Sequence, residues 1–178
     1  MPAASFVDRL NEQVAREFAA GQQYIAIAVF YDAQTLPRLA SFFYAQAVEE
    51  RNHALMMVQY LLDTGAEPKV PGVEQPQGDF ADVVSPIALA LAQERSVSDQ
   101  IAELARTARD AGDYQSEQFV QWFLKEQVEE VSTMSALLAT AERTRDNLLE
   151  LEAYVTREHG GAPAAADPTA PAVAGGGL

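Results

Sequence analysis

Apolar and small residues recur at helical spacing through most of this chain. From Ser5 to about Tyr31 they fall at Phe6, Leu10, Val14, Phe18, Gly21, Tyr24, Ile25, Ala28 and Tyr31, mostly in steps of three and four that line one face of a helix. Ser5, with Asp8 three residues on, is the expected N-terminal cap. A second helix is predicted from near Pro37, which suits a first helical turn, to near Gly65, which suits a helix end. A third begins at Ser85-Pro86 and ends near Gly112, and a fourth follows at once, from about Asp113 to Ala141. A short fifth, about Arg145 to Glu158, carries Leu148, Leu149, Leu151, Ala153 and Val155. Strand patterns are nearly absent. The fold class expected is therefore all-α.

The connections set the topology. About five residues join the first two helices and two or three join the third and fourth, so each pair is antiparallel. The second and third are separated by about 20 residues containing Pro68, Pro71, Gly72, Pro76 and Gly78. A helix of roughly 28 residues is about 42 Å long, and an extended segment of about 20 residues reaches up to roughly 66 Å. The segment can run the full length of a bundle and bring the second and third helices parallel. The expectation is a four-helix bundle with one long crossover and a short fifth helix, over residues 1–159. Residues 160–178 are almost only Ala, Gly and Pro and read as a flexible tail that gains little by packing on its own subunit.

Composition narrows the function. The 178 residues suit one domain, and 48 % of them are hydrophobic, enough for a core. There is no cysteine, which removes disulfides, thiol catalysis and Cys-based zinc or iron–sulfur sites together. The net charge of -14 repels nucleic acid and anionic lipid and attracts cations. No apolar run has the length of a membrane span, and Met1 is not followed by a basic stretch and an apolar signal core. A soluble, cytoplasmic protein with no nucleic-acid or membrane partner is expected.

The informative residues interrupt the apolar stripes. Glu17 sits in the middle of the first stripe. Glu94 sits among Ile87, Leu91, Ser98, Ile101 and Ala105 of the third. Glu50 and His53 fall on the side of the second helix that carries Phe43, Val48, Ala54 and Met57. In the fourth, Phe119, Phe123, Met134 and Leu137 bracket Glu126, Gln127 and Glu130. All four helices thus bring polar ligands toward the core near their middles. A basic partner does not explain these acids. Arg16, Arg51, Arg95 and Lys125 each stand one position from an acid, about 100° away around the helix. Several carboxylates buried together need a counter-charge, because each is expensive to desolvate and like charges add to that. Glu50 and His53, at i and i+3, share a face and can share a metal. Oxygen ligands with one imidazole suit iron or manganese, and zinc less specifically.

This set, Glu-x-x-His on the second helix, single Glu residues on the first and third, and Glu-Gln-x-x-Glu on the fourth, resembles the ferritin-like di-iron family. The strings REFAAGQQYIAIA at 16–28, AVEERNHALMM at 47–57 and QWFLKEQVEEV at 121–131 are similar to bacterial non-haem ferritin. The resemblance covers residues 5 to about 158. It implies a ferroxidase that oxidises Fe(II) with dioxygen and stores Fe(III) mineral inside a self-assembled shell of twenty-four subunits. It assigns Glu17, Glu50 and His53 to a first iron site, with Glu50 bridging, and Glu50, Glu94 and Glu130 to a second. Gln127 would lie beside the second iron. Glu49, Glu126 and Glu129, with Glu130, would form a third iron site. Tyr24 would be the tyrosine beside the iron pair, supplying an electron or quenching a radical. Trp122 reads equally as an oxidisable group or as a packed aromatic.

Departures from the family are also legible. The haem-ligating Met of bacterioferritins lies between the Glu and the His of the second helix, where this chain has Arg51 and Asn52, so no haem is expected. Met56 and Met57 read as core. Ala45, Val48, Asn52 and Leu55 stand where animal ferritins place nucleating acids. Asp110, Asp113 and Glu117 are candidates for a three-fold iron entrance. The tail is read as lining the cavity or pore, as a docking peptide for a larger compartment kept extended by Pro163, Pro168 and Pro171, or as passive. The competing readings are a di-iron oxidase or peroxidase of the same fold without storage, and a non-catalytic interaction bundle.

Overall fold

In the computed structural model, which describes residues 1–161 and 167–177, five helices follow one another: α1 (Ala4–Ala33), α2 (Pro37–Asp63), α3 (Ser85–Asp110), α4 (Tyr114–Arg143) and α5 (Leu148–His159). The ends follow from local chemistry. Pro37 occupies the first turn of α2. Gly65 and Gly112, at φ 72° and 67°, take the left-handed conformation that ends α2 and α3. Asp113 caps α4 by accepting from the Ser116 N–H at 3.1 Å. The expected Ser5 cap is a correction. The N-cap position is Ala3, which offers no side-chain acceptor, and its own N–H donates to Asp113 Oδ2 at 2.9 Å.

The apolar side chains form two clusters and not one. The first joins the C-terminal half of α1 (Tyr24, Ile27, Tyr31) to the N-terminal halves of α2 (Leu39, Phe43) and α3 (Ile87, Leu91) and to Met134 and Leu137 of α4. The second joins Phe6, Leu10 and Val14 to the C-terminal halves of α2 (Met57, Leu61) and α3 (Ile101, Leu104) and to Val120 and Phe123. Equivalent halves of α2 and α3 share a cluster, so these helices are parallel and α1 and α4 run against them. The crossover between α2 and α3 therefore spans the bundle. It runs beside α1: the Asn11 amide donates to the Glu67 carbonyl at 3.2 Å and its oxygen accepts from the Lys69 N–H at 2.7 Å. Farther along, Gln23 exchanges two bonds with Gln77, Phe80 packs on Phe30, and the Tyr31 hydroxyl donates to the Val83 carbonyl at 2.7 Å. Replacing Asn11 by Ala is expected to lower stability by about 1–2 kcal/mol, the scale of two lost non-local hydrogen bonds. Limited proteolysis should then cut first within residues 67–79.

α5 closes the first cluster with Leu151 and Val155. Its Glu152 carboxylate accepts from the Arg38 and Leu39 N–H groups at 2.9–3.1 Å. These are free donors of the first turn of α2, which has no cap of its own. Two further expectations change here. Val48 is 37 % exposed, because Phe43, Ala47, Glu50, Ala54 and Met57 step by three and four and Val48 does not join that stripe. The C-terminal segment packs on its own subunit: Ala170 and Val173 seat on the second cluster, and the Ala174 N–H donates to the Leu55 carbonyl at 3.2 Å. Small side chains suffice for this, because they let the segment's backbone lie close to α2. Pro163 lies outside the described residues; Pro168 and Pro171 lie within them.

Candidate metal centre

Between the two apolar clusters lies a polar layer. Glu17 is 1 % exposed, Glu50 2 %, Glu94 0 %, His53 5 %, Gln127 5 % and Glu130 6 %. One helix supplies each member or pair: α1 Glu17, α2 Glu50 and His53, α3 Glu94, α4 Gln127 and Glu130. Gly21 on α1 permits the approach of α2 at this level. A Cβ there would sit 3.2 Å from the Ala47 carbonyl oxygen and 3.5 Å from the Glu50 Cβ.

Glu17, Glu50 and His53 converge, with one ligand atom from each lying within 4.8 Å of the others. His53 Nδ1 is 3.7 Å from Glu50 Oε2. Glu17 Oε1 accepts from the Gln13 amide at 2.8 Å, while Glu17 Oε2 and Glu50 Oε2 are buried without a partner. Free oxygens beside an imidazole nitrogen are what a cation would take up, and the donor set fits a divalent metal of moderate hardness. On the far side, the Tyr24 hydroxyl donates to Glu94 Oε1 in a very short contact, and Gln127 Nε2 donates to Glu94 Oε2 at 3.4 Å. The Ser98 hydroxyl holds Gln127 through its oxygen at 3.0 Å.

The electrostatics agree with the geometry. Burial, and then the charge of Glu50, pushes the Glu17 carboxyl well above its ordinary value. Burial and then Glu94 do the same to Glu50 and Glu130. Burial raises Glu94 as well, against the lowering effect of the Tyr24 donor. Among the described residues no Lys or Arg enters the layer: Arg16, Arg51, Arg95 and Lys125 are all exposed.

A family profile described as the ferritin-like domain matches residues 7–144. The chain belongs to the ferritin family. It is 54 % identical to Ferritin BfrB of Mycolicibacterium smegmatis over 169 residues, covering 95 % of this chain and 92 % of that one. It is 51 % identical to a Mycobacterium tuberculosis protein called Bacterioferritin BfrB, covering 99 % and 97 %, and 34 % identical to the bacterial non-heme ferritin of Staphylococcus epidermidis, covering 82 % and 87 %. Among solved structures, an open pore ferritin from Archaeoglobus fulgidus shares the fold with a TM-score of 0.84 at 24 % identity, covering 86 % of this chain and 97 % of that one.

The structure of this ferritin places the remaining sequence candidates as follows. Tyr24 reaches the centre through Glu94. Glu49 and Glu129 are exposed and Glu126 is half-buried, and all three line one open cavity with His53. Glu49 accepts from the Gln46 amide. Met56 and Met57 are buried in the second cluster. Of the entrance candidates, Asp113 is engaged as the α4 cap, and Glu117 pairs with Arg109 at 2.6 Å. Sequence reasoning missed Gln13, fully buried four residues before Glu17 and bonded to it, and Ser98, read only as part of a stripe. The available signal for Gln13 was its i, i+4 register with Glu17. No helix among the described residues is long and apolar enough to cross a membrane.

Proposed function

We propose that this ferritin takes up Fe(II) as a substrate in the polar layer, oxidises it with dioxygen, and stores the ferric product inside a hollow shell of twenty-four subunits in the cytoplasm. The single observation that carries the reading is the layer itself: four carboxylates and one imidazole, buried between two apolar clusters, with no cationic side chain among them. Four ionised carboxylates are neutralised by two divalent cations, which supports a paired site. Glu17 and His53 would hold one iron, Glu94 and Glu130 the other, and Glu50 would bridge them. Gln127 would stand beside the second.

Each Fe(II) held there yields one electron toward dioxygen. The chain's own contribution is charge and position. The four carboxylates stabilise the more highly charged ferric product. Gln13 leaves one Glu17 oxygen free for the metal, and Tyr24, bonded to Glu94, would supply an electron to the site or quench a radical. Glu49, Glu126 and Glu129, more open to solvent, would receive iron leaving the pair as a third site. Arg51 and Asn52 leave no methionine sulfur at the haem-ligating positions, so no haem takes part in this reading. Residues 1–159 form the ferritin unit, and 160–178 are an appendage to it.

The test is particle mass together with iron content. Twenty-four subunits of 19.3 kDa make a particle of roughly half a megadalton. A particle of that size that loads far more iron than two or three ions per subunit supports storage. A dimer that oxidises Fe(II) but retains only stoichiometric iron would replace it with the oxidase reading, and a protein that binds no iron would leave an interaction bundle.

A further inference from the structure

Residues 167–177 fold back onto the surface between α2 and α4, beside the polar layer, and Asp167 is the point of attachment. Its Oδ1 accepts from the Thr169 N–H at 2.8 Å and from the Thr169 hydroxyl at 2.7 Å. Its Oδ2 accepts from Trp122 Nε1 at 3.1 Å and faces Lys125 Nζ at 3.8 Å. The Thr169 donors first, and then the indole N–H, hold this carboxyl down to about 2, so the acceptor is ionised at neutral pH. Lys125 is 63 % exposed and adds little. Beyond Asp167 the segment is tied down by the seating of Ala170 and Val173 and by the bond from Ala174 to the Leu55 carbonyl.

Trp122 also packs against His53 of the centre. Its ring meets His53 edge-on, with centroids 5.7 Å apart and planes at 72°. Phe123 packs on both rings, at 5.0 Å from Trp122 and 5.8 Å from His53. Among the described residues no carboxylate or carbonyl hydrogen-bonds His53 to fix its plane, and its approach to Glu50 at 3.7 Å is too long to be such a bond. Trp122 and Phe123 pack on the imidazole, and the indole is in turn held by Asp167. Below the segment an open cavity of about 670 Å³ has His53, Glu49, Glu126 and Glu129 on one side and Asp167 and Pro171 on the other.

We propose that Asp167 is a positioning residue of the metal centre: it anchors the C-terminal segment to Trp122, whose indole orients the His53 imidazole, and makes residues 167–177 a wall of the outlet that leads from His53 to Glu49, Glu126 and Glu129. The proposal rests on reading the layer as a metal centre. Outer contacts that orient a metal-ligating histidine are commonly worth ten-fold or more in metal affinity. Here the contact comes from a segment remote in sequence.

Trp122 is the chain's one tryptophan, so its fluorescence reports the anchor without any metal. The assembled full-length protein is compared with Asp167→Ala, Asp167→Asn and a chain lacking 167–178, each first by emission and acrylamide quenching and then by titration with Co(II), followed by its absorption. Asp167→Ala and the shortened chain should emit farther to the red, quench several-fold more readily, and bind Co(II) about ten-fold more weakly with an altered spectrum. Asp167→Asn keeps an oxygen acceptor and should restore most of both. Unchanged emission and quenching in Asp167→Ala would overturn the anchor. Changed emission with unchanged Co(II) affinity and spectrum would overturn the positioning role. A wild-type protein that binds no Co(II) would overturn the metal-centre reading and the positioning role with it, while the emission data would still decide the anchor.

Discussion

Rapid oxidation of Fe(II) should be lost when Glu94 is replaced by Ala, with the bundle still folded. Glu94 is fully buried, is held by Tyr24 and Gln127, and exerts the largest charge effect on Glu50. Removing it deletes one proposed ligand of the second iron and the contact through which Tyr24 reaches the site. Contacts that merely orient a ligand are worth 10–100-fold, so loss of the ligand should slow the first turnover by at least about 100-fold. The fold should survive because two effects oppose each other. The Tyr24 hydroxyl is left without its acceptor, at a cost of about 1–3 kcal/mol. A desolvated carboxylate is also removed, which relieves several kcal/mol. Stopped-flow absorbance of the ferric product at two Fe(II) per subunit, with size exclusion as the assembly control, measures the effect. His53→Ala should behave alike. Glu129→Ala, at an exposed position, should alter iron stoichiometry and later turnovers and leave the first oxidation intact. Wild-type rates in Glu94→Ala would overturn the ligand assignment.

The metal-free protein should be less stable at pH 8 than at pH 5.5, and Glu50→Gln should remove much of that difference. Glu17, Glu50, Glu94 and Glu130 all have folded-state pKa values raised above the ordinary 4.5. Above pH 4.5 the folded state therefore holds protons that the unfolded chain has released. Stability falls as pH rises from 4.5 through the raised values, and the effect is complete above them. This is opposite to the usual behaviour of a salt-bridged carboxylate. Glu50→Gln removes an acid that is fully desolvated and raised by the charges of Glu94, Glu130 and Glu49. A gain of about 2 kcal/mol at neutral pH is expected, the scale of desolvating an uncompensated ion, or roughly 4–8 °C in Tm for a chain of this size. Calorimetry of the metal-free protein across pH 5–8 checks this. A divalent cation should stabilise the wild type more at pH 8 than at pH 5.5, because protons compete with it for the same oxygens. An apo-protein whose Tm rises with pH over this range would show that the layer is not a cluster of strained acids.

The helices were legible because their apolar periodicity is long and their ends carry strong local signals, Pro37, Gly65, Gly112 and Asp113. The Ser5 cap was not, because a cap depends on which residue leaves helical geometry first, and a plausible side chain alone does not decide it. Val48 leaves the face predicted for it for a related reason: one residue turns a helix by about 100°, so an apolar stripe is read correctly only when every step is three or four. Glu17, Glu50, His53, Glu94, Gln127 and Glu130 are legible as buried polar positions because a charged or amide group within an apolar stripe stands out. Gln13 and Ser98 were passed over, since a neutral polar residue near a stripe is common and carries no charge that asks for explanation.

The sequence by itself determined the number of helices, the crossover that makes α2 parallel to α3, the absence of any Cys ligand, and the carboxylates facing the core. Each is a property of spacing or composition, readable from one helix or one connection at a time. Tertiary structure alone decided the rest. It split the core into two apolar clusters with the acids between them, joined Glu17, Glu50 and His53 within ligand reach, and put the Tyr24 hydroxyl on Glu94. It set Glu152 of α5 on the first turn of α2 and Asp167 on Trp122. The last three pairings, Tyr24 with Glu94, Glu152 with Leu39 and Asp167 with Trp122, lie 45 to 113 residues apart in the chain. Their geometry is fixed by how whole helices pack, and periodicity within one helix carries no information about which side chain of another will meet it.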